Sequence, residues 1–276
     1  MQLIAVDIGN SSTKIGFAQN AVAKKSDWRD LQSKGNDLWT SRINLPNEKP
    51  IASLGDDLTL TQAPATWSVS SVNSTRAQSL GDWVATHRPE DRFHLVGQSD
   101  VDLQSDVQSR KQLGRDRLLA AWMAIQLNDK AGPVIVVDAG TAVTVDLVDA
   151  QLVFQGGTIS PGADSNFQQL AQHTDALPSL SQKRRDELLS DMELGAVGKS
   201  TEQAIFNGVY QTQIGGIVGI VAAVSKQLAS QPAVYATGGG IEDISKFLPE
   251  SWIRVPDLVL RGAFGIGLQF ESRSAN

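Results

Sequence analysis

An α/β protein made of two related halves around a cleft is what this sequence predicts, and three observations carry the prediction. The first is a pair of short apolar runs, Leu3 to Val6 and Val134 to Val137, each ending in an aspartate, Asp7 or Asp138, and each followed by a glycine turn. Runs of that length and β-branched composition suit strands buried on both faces, and Gly9 or Gly140 permits positive φ or close approach where the chain turns back. The second is repetition. The two stretches share Asp, Gly two residues on and Thr six residues on: Asp7, Gly9, Thr13 and Asp138, Gly140, Thr144. Their offset, 131 residues from Asp7 to Asp138, is close to half of the 276-residue chain, as expected for a duplicated subdomain with two hairpins facing each other. The third is length, because single cores stop growing near ~250 to 300 residues. The division expected is 1–127 and 128–276. Either hairpin alone also reads as ordinary sheet with Asp and Gly as turn formers; two copies at half-chain spacing, each with a carboxylate at a strand's mouth, read as a site.

In chain order, Lys14 to Ala18 continues the first hairpin, and 21–64 is polar with only Leu38 to Leu45 as a weak strand. Trp67 to Val72 alternates as a strand, Ser79 to Thr86 carries Leu80, Trp83 and Val84 on one helical face, and Phe93 to Gly97 is a further strand. A polar loop, 98–113, leads to Gly114-Arg115-Asp116-Arg117. There Leu118, Ala121, Trp122 and Ile125 have the spacing of an amphipathic helix, with Asp116 at the end where the helix dipole favours an anion. After the second hairpin, Leu152 to Phe154 is a strand running into Gly156 to Gly162, a glycine-dense turn of the kind a ligand approaches. Asn166 to Ala171 begins a helix. Ser179 to Glu193 reads as a polar connection with a solvated charged run at Lys183 to Glu187. Thr201 to Leu228 is helical but interrupted by glycines that read as close helix packing, since no strand precedes them. Ala233 to Ala236 is a strand ending in Thr237-Gly238-Gly239-Gly240; here a strand does precede, and nucleotide contact is the better reading. Leu258 to Phe270 closes the chain as a helix, with Gly262, Gly265 and Gly267 as packing positions.

Composition narrows the chemistry. There is no Cys, which excludes disulfides, thiolate nucleophiles and Cys-zinc sites. A net charge of −6, with 24 Lys and Arg scattered along the chain, offers no basic stripe for nucleic acid. His87, His94 and His173 lie in different elements and form no ligand set. The longest uncharged apolar stretch, Ile214 to Val224, is too short for a bilayer and the first residues enter a strand directly, so a soluble cytoplasmic protein without membrane contact is expected.

Two Asp-x-Gly hairpins, Gly-x-Asp-Arg at a helix start, Gly-Gly-x-Ile-x-Pro-Gly and a strand ending Thr-Gly-Gly-Gly, in that order over nearly the whole chain, resemble the type III pantothenate kinases of the acetate and sugar kinase, actin and chaperone ATPase superfamily. The resemblance implies duplicated ribonuclease H-like lobes with an ATP cleft between them, ATP-dependent phosphorylation of pantothenate towards coenzyme A, and a homodimer. It also implies site residues. Asp7-Ile8-Gly9-Asn10-Ser11-Ser12-Thr13-Lys14 corresponds to the ATP phosphate loop, Gly114, Arg115, Asp116 and Arg117 to the pantothenate turn, and Asp116 to the general base. Asp138 corresponds to the ligand of a monovalent cation, K⁺ or NH₄⁺, Thr141 to an ATP contact and Thr201 to a substrate contact. Where the family commonly has Tyr followed by Asn-Pro, this chain has Val107, Ser109 and Arg110, and Arg115 replaces a commoner small residue.

Phosphoryl transfer asks a protein mainly for positioning and for charge opposite the phosphoryl oxygens. Backbone N–H groups of Gly9, Asn10 and Ser11 suit a phosphate cradle, Lys14 adds a point charge, Asp7 suits Mg²⁺ brought by ATP, Gly238 and Gly239 suit nucleotide contact, and the planar fork of Arg117 suits the pantothenate carboxylate. Two other readings stay open: a related kinase for a sugar or acid, which a panel of hydroxyl substrates separates, and a non-catalytic nucleotide-binding regulator, which would need no base.

Overall fold

The computed structural model describes residues 2–19, 38–54, 63–129, 131–191 and 195–274. Much of the polar segment 21–64 therefore lies outside the described residues. The first half builds a five-stranded sheet from β1 (Gln2–Ile8), β2 (Ser12–Gln19), β3 (Ser41–Pro46), β4 (Ala65–Ser71) and β5 (Arg92–Leu95), in the order β3-β2-β1-β4-β5. The second is a six-stranded sheet of β6 (Gln104–Ser105), β7 (Val134–Ala139), β8 (Ala142–Val148), β9 (Val153–Pro161), β10 (Ala233–Thr237) and β11 (Ile253–Arg254), in the order β11-β10-β7-β8-β9-β6. With β6 set aside at its edge, the second sheet repeats the first strand for strand. β1 and β7 each pair antiparallel with the strand that follows and parallel with β4 or β10. Asp7 stands opposite Lys14, and Asp138 opposite Thr144. The expected duplication is thus the topology itself.

Both central strands are buried on both faces, which explains why they lack alternation: Leu3 to Val6 and Val134 to Val137 expose at most 1% of any side chain. Seven α-helices occur among the described residues. α1 (Ser74–His87) starts five residues before the expected helix, because the Asn73 side chain caps it by accepting from the Arg76 N–H. α2 (Arg115–Leu127) is not amphipathic as its spacing suggested; Leu118 to Ile125 are all buried. The reason is tertiary: α2 packs on β7, β8 and β4 and along the last helix, α7 (Leu258–Ser274), which in turn covers β1 and β4. Glycines permit that contact. A Cβ at Gly262 would lie 2.8 Å from the Leu119 carbonyl, and one at Gly267 would lie 2.7 Å from Leu3.

Three other expectations are corrected. The glycine-dense stretch 156–162 is not a turn: through Pro161 it belongs to β9, with Ala142 to Leu147 of β8 facing Pro161 to Gly156. Its glycines serve strand contact, since a Cβ at Gly157 would overlap the Val145 carbonyl and one at Gly162 the Gly140 carbonyl. Gly156 takes φ +93° beside a register shift. The charged run 183–187 lies in α4 (Gln182–Asp191), following α3 (Ala163–His173), and is not wholly solvated. Arg185 is 8% exposed, over the Phe167 ring and bonded to Leu180 O and Asp164. Finally, α5 (Thr201–Ser225) is one uninterrupted helix, long and apolar enough by length and composition to cross a membrane. It lays Phe206, Val209, Tyr210 and Ile217 on the second sheet's core, while Cβ atoms at Gly208, Gly215, Gly216 and Gly219 would meet nothing within 4 Å, so these glycines pack on nothing among the described residues. A short helix, α6 (Gly239–Ile244), follows β10.

Candidate active site

Because β1 and β7 occupy corresponding places, their aspartates end at the same cleft and their turns touch: the hydroxyls of Ser11 and Thr141 are 2.8 Å apart. Asp7, Gly9, Asn10, Ser11, Ser12 and Lys14 line this cleft from the first half. Asp138, Thr141, Gly238 and Gly239 line it from the second, and Asp116 and Arg117 from the start of α2. Val72, Gly140, Ala142, Thr144 and Val259 line it too, without having been singled out as site residues. Ile8 and Thr13 are fully buried beneath the hairpin and do not line the cleft. Thr201, exposed at the start of α5, does not line it either.

The first turn is braced from outside. Asn47 donates through its side-chain amide to the carbonyls of Gly9 (3.0 Å) and Asn10 (2.9 Å). Arg76 donates to Thr13 Oγ1 (2.7 Å) and to the carbonyls of Asn47 and Lys49. Sequence reasoning assigned neither residue a role, and no local pattern marks them. The Gly9 N–H closes the turn onto Ser12 O at 2.9 Å, so of the three N–H groups expected in a phosphate cradle that of Gly9 is engaged within the turn. Lys14 is held 3.3 Å from Asp257, which also pairs with Arg42. Burial alone would depress its ammonium; Asp257, Asp7 and Asp138 outweigh burial and raise it.

Burial pushes the Asp7 carboxyl up to about 7 and that of Asp138 to about 6, against the pull of Lys14 and with neighbouring carboxylates adding to the rise. Lys14 pulls on both carboxyls without offsetting their burial. Among the described residues no three Asp, Glu or His side chains could hold a metal ion by themselves. Two carboxylates beside a phosphate-sized turn suit Mg²⁺, which commonly binds one or two carboxylates together with substrate phosphates. Gly238 presses on one of them: at φ +92° its Cβ would overlap Asp138 Oδ1 and the Ala139 carbonyl.

At the start of α2, Asp116 Oδ1 accepts from the Arg117 N–H at 2.9 Å, and Oδ2 has no hydrogen bond among the described residues. A Cβ at Gly114 would meet that Oδ1, so a larger residue there would displace the Asp116 carboxylate. Arg117 does not carry a free fork. Its Nε lies 3.1 and 3.0 Å from the two oxygens of Asp146, its Nη2 also donates to Asp146, and its guanidinium sits 5.7 Å over the Phe154 ring. Asp146 is 2% exposed; burial pushes its carboxyl up while Arg117 pulls it down. Thus Arg117, expected to meet a substrate carboxylate, is engaged by one inside the fold. Arg115 lines an adjoining groove.

The family model for type III pantothenate kinase matches residues 3–223. A relative of that name from Persephonella marina is 26% identical over 281 residues, 96% of this chain and 97% of its own. Another, from Rubrobacter xylanophilus, is 29% identical over 276 residues, 94% and 95% of the two chains. Among solved structures, a Baf family transcriptional activator of Campylobacter jejuni aligns over 99% of this chain and 100% of its own at 19% identity, TM-score 0.55. A 2-dehydro-3-deoxygalactonokinase protein of Sinorhizobium meliloti aligns over 98% and 96% at 13% identity, TM-score 0.50. These two likenesses bear on the fold, a two-lobed α/β architecture. With the family match running through both aspartate hairpins and the Gly-x-Asp-Arg helix start, this chain belongs to the type III pantothenate kinase family.

Proposed function

We propose that this protein transfers the γ-phosphoryl group of ATP to the primary hydroxyl of pantothenate, giving 4′-phosphopantothenate, the first step of coenzyme A synthesis, with Asp116 as general base. The observation that carries the reading is the free Asp116 carboxylate edge at a helix start, lining the same cleft as two aspartate hairpins. The N–H groups of Asn10 and Ser11, with the hydroxyls of Ser11, Ser12 and Thr141, hold the phosphates, and Gly238 and Gly239 contact the nucleotide. Asp7 would hold Mg²⁺ brought with ATP, and the ion would supply charge neutralisation for the phosphoryl oxygens. Asp116 takes the hydroxyl proton as that oxygen bonds to the γ-phosphorus, the bond to the bridging oxygen breaks and ADP leaves. Asp138, half-buried where it lines the cleft, would hold K⁺ or NH₄⁺.

The chain divides into lobes 1–127 and 128–276. It works as a cytoplasmic homodimer, in which the uncovered glycine face of α5 meets its symmetry mate and Thr201 reaches the neighbouring site; Gly114 and Arg117 shape the pantothenate turn. The test is ADP release with and without pantothenate, beside a panel of sugar and acid acceptors. Pantothenate-dependent release is expected; release with a sugar alone would move the reading to another kinase, and none with any acceptor would favour a regulator. Asp116→Asn should cut turnover at least roughly 10²-fold with ATP binding retained. Near-normal turnover in that variant would remove Asp116 as the base.

A further inference from the structure

Three arginines lie close to Asp116 in the chain, and their engagements differ. Arg117 is held by buried Asp146. Arg110 donates to the carbonyls of Leu103, Gln98 (3.2 Å) and Val101 (3.3 Å) and to Ser105 Oγ (3.3 Å), which fixes the preceding loop. Arg115 has no hydrogen bond or ion pair among the described residues. It is half-buried in the first turn of α2 and lines a groove with Val72, Ala77, Gly81, Phe93 and Leu95. Val72 also lines the cleft, so the groove and the cleft adjoin at Val72. Val72 and Leu95 are 41% and 44% exposed, apolar side chains that nothing among the described residues covers.

A cation without a counter-ion among the described residues, set against an apolar groove at a helix start that itself favours negative charge, fits a ligand with an apolar body and one carboxylate. Pantothenate has that form: a hydroxyl at one end, a dimethyl-substituted carbon and an amide between, and a carboxylate at the other end, about three residues or roughly 10 Å in extended length. We infer that Arg115 is the specificity-determining residue for the acceptor's carboxylate, with the groove of Val72, Phe93 and Leu95 taking its apolar middle. This rests on the pantothenate reading above and moves the carboxylate contact from Arg117, where residue type alone placed it, to Arg115.

The experiment compares kcat/KM for pantothenate and for its neutral primary amide, using the full-length wild type and Arg115→Met, Arg115→Lys and Arg117→Met. In Arg115→Met the acid-to-amide ratio falls roughly 10- to 100-fold, mostly through the KM for the acid, as loss of a charge-assisted pair predicts. Arg115→Lys keeps part of the ratio, as a point charge without the planar fork should. An unchanged ratio, an equal fall for both substrates, or a collapse of the ratio in Arg117→Met alone overturns the assignment. If the wild type phosphorylates neither acid nor amide but accepts another alcohol, the pantothenate reading fails and this inference with it. Phosphorylation of both by a wild type whose ratio Arg115→Met does not alter sinks this inference alone.

Discussion

Removing the charge of Asp146 is the sharpest test of the ion pair behind the proposed base. Asp146→Asn leaves Arg117 beside a neutral amide at a site where the partner is 2% exposed and the Arg117 side chain 16% exposed. Breaking a buried pair from one side costs ~3 to 5 kcal/mol because a charge is left uncompensated. Arg117 keeps some contact with water, so the lower end, about 3 kcal/mol, is expected here. At ~2 to 4 °C per kcal/mol for a chain of this size, the melting temperature should fall by roughly 6 to 12 °C. Arg117→Met is milder, because Asp146, already pushed up by burial, can take a proton once its cation is gone. The double variant, lacking both charges, should recover at least ~1 kcal/mol relative to the sum of the singles. Thermal and urea unfolding of the four proteins measure this cycle. A shift below about 2 °C in Asp146→Asn, or strict additivity in the double variant, would refute the argument that the pair is buried and coupled.

Gly238→Ala combines a left-handed backbone, ~1 to 2 kcal/mol, with overlap on Asp138, ~1 to 3 kcal/mol, so a lower melting temperature and a loss of ATP turnover are expected together; a variant that melts and turns over like wild type contradicts that geometry. Asp7 and Asp138 have folded-state values raised to about 7 and about 6 from 3.8, so their contribution to stability is present below 3.8 and lost as pH rises through 6 to 7. Binding of Mg-ATP, which needs them ionised, should therefore release protons near pH 6.5, measurable by calorimetry in buffers of different ionisation enthalpy, and the same binding heat in every buffer would contradict it. If Asp138 carries a monovalent cation, activity should be high in potassium or ammonium buffer and much lower in sodium or Tris alone; equal rates in all four would count against that role.

What could be read from the sequence was what local grammar encodes. A β-branched run closed by Asp and Gly is written in consecutive residues, and its recurrence 131 residues later carried the duplication, which the strand orders reproduce. The Asn47 and Arg76 braces could not be read this way. They contact the first hairpin across separations of 37 and 63 residues, and Asn and Arg have ordinary surface roles in such segments. Glycine density was ambiguous for a physical reason: a missing Cβ admits a ligand or a neighbouring strand equally well, and at Gly157 the neighbour is Val145 of β8. The same limit governed α2, whose apolar residues beyond the predicted stripe were visible but whose second covering surface, α7, lies more than a hundred residues away.

The arginines of the Gly-x-Asp-Arg stretch carry that reasoning into the site. Spacing put Arg115 and Arg117 in the first turn of a helix beside Asp116, and residue chemistry placed the carboxylate contact on Arg117. It could not say which guanidinium is free, since that depends on Asp146, 29 residues from Arg117 and brought to it by the β7–β8 hairpin. A buried carboxylate needs a cation more than a solvated ligand does, because its unpaired charge would have no water to stabilise it. Arg117 therefore belongs to the fold first, and under the proposal above the substrate carboxylate meets Arg115, which has no hydrogen bond or ion pair among the described residues.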